Sequence, residues 1–123
     1  MMRAYVPATL PEVLRWYAGG AVPVGTRINA VTSSLRKQHP DADDEELEFL
    51  ATKAAEETST VAAMTTGQRR ATLAVDLPAD ATEPLPGATS SLSTTAEVPI
   101  TDWAAVFVDD LQWYAVDEIA YLT

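Results

Sequence analysis

The 123-residue chain contains no cysteine. Disulfides, thiolate zinc sites and cysteine nucleophiles are thereby excluded, and the absence fits a reducing cytoplasm. Histidine occurs once, as His39, between Lys37-Gln38 and Pro40-Asp41. General acid–base work needs a positioned partner and a cleft, and this polar stretch suggests a surface loop instead. Basic residues are scarce: 8 Lys and Arg stand against 18 Asp and Glu, for a formal net charge of −10. Binding to nucleic acid through phosphate neutralisation needs concentrated Lys and Arg, so that function class is disfavoured. An acidic surface suits solubility, basic protein partners or divalent cations. No apolar run approaches the roughly 20 residues of a membrane-spanning helix. Met1-Met2-Arg3 leads into strand-like residues and Pro7, not an apolar core of a signal peptide. The 5 glycines form neither G-x-G-x-x-G nor a Walker loop. Ser33, Ser34, Ser90 and Ser91 lack a G-x-S-x-G elbow and read as caps or loop residues. No cofactor is implied.

Residues 41–64, DADDEELEFLATKAAEETSTVAAM, carry the densest charge and predict the longest helix. Asp43 is a suitable N-cap, with Glu46 three residues on. Asp44, Glu45 and Glu46 then occupy the first turn, where the helix dipole favours negative charge. Leu47, Leu50, Ala51, Ala54, Thr58, Val61 and Ala62 recur at three- and four-residue spacing and mark an apolar stripe. Its small residues suggest close approach to neighbouring backbone. Gly67 is a plausible stop.

Upstream, residues 3–7 suit a strand, with Pro7 restricting it to an end or edge. Thr9-Leu10-Pro11-Glu12 opens a helix over about 10–18, stopped by Gly19-Gly20. Residues 27–32 suit a second strand, and Thr32 can cap a short helical turn. Residues 69–77 alternate with period two and form the clearest strand. Strand, helix, strand, helix, strand predicts parallel pairing with crossovers. Residues 78–95 are dominated by Pro, Ala, Ser and Thr and read as a long loop. Residues 105–109 and 113–116 suit two further strands, paired antiparallel. Five of the nine aromatics (Trp103, Phe107, Trp113, Tyr114 and Tyr121) fall near the C-terminus. They suit a core corner or an exposed pairing patch.

The segments YVPATL, INAVTSSLR, DDEELEFLATKAA, RATLAVDLP, AAVFVDD and WYAVDEI follow one another in this order. So arranged, the chain resembles a family of small uncharacterised actinobacterial proteins, a domain of unknown function. The likeness spans nearly the whole chain and implies no activity or catalytic residue. Similar members tend to carry a longer acidic or Ala-rich segment between the last two strands. Here Leu111-Gln112 alone separate Asp110 from Trp113, so a function housed in such an insertion does not carry over.

The expected fold is a single α/β (or α+β) domain over residues 1–123. A mixed sheet of about five strands and two main helices runs βαβαβ and then adds an antiparallel ββ edge. Its core should include Leu14, Ile28, Leu47, Leu50, Leu73, Val75, Val106 and Val108. No catalytic set is visible, which favours a non-enzymatic interaction or accessory protein of the cytoplasm, bound to a protein partner or to itself as a homodimer. Asp41, Glu45, Glu48, Trp113 and Tyr114 are the candidate contact residues. The alternative is an enzyme using carboxylates at the C-terminal ends of the strands. Asp76, Asp109 and Asp110 are the candidates to hold Mg²⁺ or Ca²⁺ there, although acidic residues at such junctions are ordinarily solvated turn formers.

Overall fold

The computed structural model describes residues 1–86, 89–109 and 112–122. The chain forms a mixed α+β domain. Strand β1 (Met2–Thr9) leads into α1 (Leu10–Gly19). Short β2 (Ala21–Val22) and β3 (Arg27–Ala30) follow, then α2 (Ser33–Gln38) and the 23-residue α3 (Asp44–Thr66). After β4 (Arg70–Leu77) come β5 (Thr82–Pro84), β6 (Ser91–Thr94), β7 (Val98–Pro99), β8 (Trp103–Val108) and β9 (Gln112–Tyr114). A 3-10 segment, Val116–Tyr121, closes the described chain.

Seven strands make one sheet in the order β5-β6-β3-β1-β4-β8-β9, and β2 pairs with β7 in a small second sheet. Every neighbouring pair is antiparallel. The parallel pairing expected from the alternation of strands and helices is therefore corrected. Its physical origin is the position of β1. That strand lies between β3 and β4 and is antiparallel to both. Hence β3 and β4 do run in the same direction, joined by the long helix, but with β1 inserted between them. A periodicity in sequence reports the crossover and not the strand that fills the gap.

Local chemistry explains the element ends. Asp43 Oδ1 accepts the Glu46 N–H at 2.8 Å, capping α3. Gly67 ends the helix at φ 72°, in the left-handed region that glycine enters without steric cost. At α1, Glu12 accepts both the Thr9 N–H at 3.0 Å and the Thr9 hydroxyl at 3.2 Å. Thr32 caps α2 by accepting the Leu35 N–H at 3.0 Å. Pro7 lies inside a central strand, not at an edge. The pairing of β1 with β3 reaches only Ala4 and Tyr5, so Pro7 has no partner on that side to whom an N–H would be owed.

Residues 78–95, expected as one long loop, hold two strands. They pair as Thr82↔Thr94, Glu83↔Ser93 and Pro84↔Leu92, and β6 then extends the sheet beyond β3. The polar composition hid a strand whose single apolar inward residue is Leu92.

The core divides by sheet face. One face presents Val6, Ile28, Leu73, Val75, Val106 and Val108 to α1, the β2–β7 ribbon and Ile119. Trp103 holds the ribbon by donating its indole N–H to the Val98 carbonyl at 3.0 Å. The other face is thinner. Helix α3 covers it with Leu47, Ala51, Ala55 and Ser59, four-residue spacing that places them on one stripe. Of the expected core, Leu14 and Leu50 are only partly buried, packed at the margins of their clusters. The outward part of the expected stripe is exposed at Val61.

Candidate functional site

Helix α3 lies over β1 and β4 and does not reach the far edge of the sheet face. Alternation puts Arg27 and Asn29 of β3 on the same side as Tyr5, because Tyr5 pairs with Asn29. Across the next ladder Asn29 pairs with Ser91 and Arg27 with Ser93. This region is therefore polar, with Asn29, Ser90 and Ser91 buried and Arg27 exposed. With Ala54, Glu57, Thr58 and Val61 of α3 it forms an open cleft of about 510 Å³.

The cleft floor is hydrogen-bonded. Arg27 Nη2 donates to Ser91 Oγ at 3.0 Å. Asn29 Nδ2 donates to Ser90 Oγ and Ser91 Oγ, each at 3.1 Å. The Ala30 N–H donates to the Ser90 carbonyl at 2.9 Å, and the Thr32 hydroxyl donates to the Thr89 carbonyl. These contacts hold residues 89–91 against β3. Asn29 is 1% exposed, and its Oδ1 has no hydrogen-bond partner among the described residues. Turning the carboxamide over would leave the nitrogen unpartnered instead, so one end of the amide is open either way. An unsatisfied buried polar group costs about 1–3 kcal/mol.

A second exposed feature lies on the other side of α3. Phe107 of β8 pairs directly with Trp113 of β9, the edge strand. Trp113 is 64% exposed and Phe107 36%. Tyr114 alternates to the opposite face, where it packs against the main core, and its hydroxyl bonds Gln112 Oε1 at 3.1 Å.

The two described candidate carboxylates, Asp76 and Asp109, lie apart. Asp76 is paired with Arg3 at 2.7 Å and Asp109 with Arg69 at 2.8 Å. The Asp109 N–H donates to the Arg70 carbonyl, so Asp109 sits beside the start of β4 while Asp76 is near its end. Six residues of strand, about 20 Å, separate Arg70 from Asp76. Asp110 lies outside the described residues. In an antiparallel sheet the C-terminal strand ends alternate between the two ends of the sheet, so Asp76 and Asp109 do not share one. Hydrogen bonding to Asp76 is the main cause that raises the Arg3 guanidinium pKa.

Asp41 is exposed in the turn before α3. Glu45 borders a shallow groove with His39, Glu46, Phe49 and Leu50. Glu48 points back to the sheet and accepts the Tyr5 hydroxyl at 2.8 Å. Its charge is thus engaged within the fold. Burial is the largest cause raising the Tyr5 phenol pKa; a hydrogen bond involving Thr52 acts in the opposite direction, and Glu48 adds to the rise.

The model of a family of unknown function, DUF6912, matches residues 2–112. The chain belongs to that family. Searches among curated proteins and among solved structures give no match. For this DUF6912 member, the sequence reads Ser90 and Ser91 as caps or loop residues and does not single out Arg27 and Asn29. A signal for Arg27 and Asn29 existed: RINA places two polar residues on one face of a strand whose other face is apolar. Nothing local shows that Ser90 and Ser91 come to lie beside them, about 60 residues along the chain.

Proposed function

We propose that the protein is a non-enzymatic interaction protein of the cytoplasm, and that it docks a basic protein partner on the edge formed by Phe107 and Trp113. The exposed cross-strand pair carries this reading. Large aromatic rings at a sheet edge supply contact area at little conformational cost and are enriched where proteins bind one another. Charge selects the occupant. Two copies of a chain of net charge −10 repel, whereas a basic partner is attracted. The lack of cysteine accords with a reducing compartment. Asp41 and Glu45, both exposed, remain candidate contacts for the same partner.

Affinity capture from native lysate tests this with wild type beside Trp113→Ser and Phe107→Ser. The expected result is a discrete basic protein, released by salt and lost with either variant. Equal recovery by both variants overturns the reading. Light scattering after size exclusion separates the other occupant: a dimer abolished by Trp113→Ser would assign the edge to a second copy.

A further inference from the structure

The two edges of the seven-stranded sheet are finished differently. In an antiparallel ladder the N–H and C=O of successive residues point alternately to the two sides of a strand. Near edge strand β5, the Thr95 N–H donates to the Ala81 carbonyl and the Leu85 N–H to the Ser91 carbonyl. By that alternation the residues of β5 that face outward are Thr82 and Pro84. Pro84 has no N–H to offer and Glu83 adds a charge, so this edge is guarded against a further strand. At the opposite edge, the Asp109 N–H donates to the Arg70 carbonyl. The main-chain groups of Phe107, two residues earlier, therefore also face β4, and Phe107 and Trp113 oppose each other without exchanging hydrogen bonds. The N–H and C=O of Trp113 consequently point away from the sheet, and no turn or loop group among the described residues bonds them. Ala115, next in the same alternation, is closed: its N–H goes to Glu118 Oε1 at 3.1 Å and its carbonyl accepts the Glu118 N–H at 3.0 Å. The open donor and acceptor thus belong to the residue whose indole is 64% exposed, on a strand without charge or proline.

We propose that β9 receives a short extended segment of a basic protein as an added strand, with an arginine or lysine of that segment opposite Trp113. The Trp113 N–H and C=O exchange two hydrogen bonds with the opposed residue, and pairing in register puts its side chain on the same face as the indole. A cation there lies against the ring. A chain of net charge −10 attracts such a segment, whereas a second copy brings the same negative charge. This inference rests on the docking role of the Phe107–Trp113 edge and specifies how the partner is held.

Nuclear magnetic resonance titration of the intact chain with short synthetic peptides tests it. The probe is a capped peptide alternating arginine with valine. One control carries N-methyl groups on its arginine main-chain nitrogens, which removes the donors and keeps the charge; another has glutamate in place of arginine. The probe should give saturable shifts at the Trp113 amide and indole N–H and slow the exchange of that amide with solvent. The N-methylated peptide should bind at least about fivefold more weakly, for want of a main-chain bond. The glutamate peptide should bind at least about tenfold more weakly. Trp113→Ser, which keeps the main-chain donor and removes the ring, should weaken the probe by about fivefold. Equal binding of the N-methylated peptide overturns strand addition; if Trp113→Ser then weakens both peptides, the edge stands as a docking surface held by side chains alone. No saturable shift with the probe, equal affinity for the glutamate peptide, or a dimer that already protects the Trp113 amide overturns the proposal as well.

Discussion

The Ser59 hydroxyl lies 2.6 Å from the carbonyl oxygen of Ala8, so a side chain of α3 reaches the backbone of β1 directly. The same oxygen is 2.9 Å from the Ala71 carbonyl and accepts the Ala71 N–H at 3.1 Å. Ala8 and Ala71 are cross-strand partners. One hydroxyl thus joins the helix to the two central strands, in a position where only a small side chain fits.

Replacement of Ser59 should be costly in two distinct ways. Ser59→Ala removes the shared partner and should destabilise by about 1–2 kcal/mol. Ser59→Val should cost about 1–3 kcal/mol more, because added methyl groups push the helix away from the sheet. Urea unfolding of both variants measures the difference. A valine variant as stable as the alanine one would show that the interface can open without penalty.

Leu47 and Leu50 should differ. Leu47 is 2% exposed, while Leu50 packs at the margin of the same cluster. Leu47→Ala should cost about 2–4 kcal/mol and Leu50→Ala about 1 kcal/mol. Thermal melts of the two variants rank the positions, and the reverse order would refute the assigned burial.

Alkaline stability should depend on Tyr5. Its phenol pKa is raised in the folded chain above the ordinary 10.0, chiefly by burial. The neutral form is therefore favoured by folding. That stabilising contribution is fully present below the unfolded value of 10.0 and is lost as pH rises through the higher folded value. Melting temperatures from neutral to strongly alkaline pH should fall more steeply for wild type than for Tyr5→Phe. Parallel curves would remove Tyr5 as the cause.

Asp109 is the one non-glycine residue with positive φ among the described residues, at 57°. Aspartate and asparagine enter this region more readily than β-branched residues. Asp109→Asn should leave stability within about 0.5 kcal/mol, whereas Asp109→Val should lose about 1–2 kcal/mol to backbone strain. Chemical denaturation tests the pair; equal losses would point to the Arg69 ion pair in place of the backbone.

The elements most legible in sequence were those defined by neighbouring residues. Asp43, Gly67 and Thr32 cap or end their helices through contacts within a few positions, and the period of two in residues 70–77 follows from the pleat itself. Strand β6 was not legible, because SLST carries one apolar residue and joins the sheet through Arg27, Ile28 and Asn29, far away in sequence. Asp76 and Asp109 lie apart for a similar reason. Asp76 and Asp109 both border strand ends, but the direction of pairing sends them to opposite ends of β4.

By itself the sequence determined the helix boundaries, the acidic character, and the inward alternation of β4 and β8. These rest on capping, formal charge and side-chain period, all properties of short stretches. Only the tertiary structure decided that β1 lies between β3 and β4, that Glu48 serves Tyr5, and that Asn29 meets Ser90 and Ser91 beneath α3. Such juxtapositions arise when distant backbone edges pair and a helix covers part of one sheet face, and no local pattern encodes which part it leaves open.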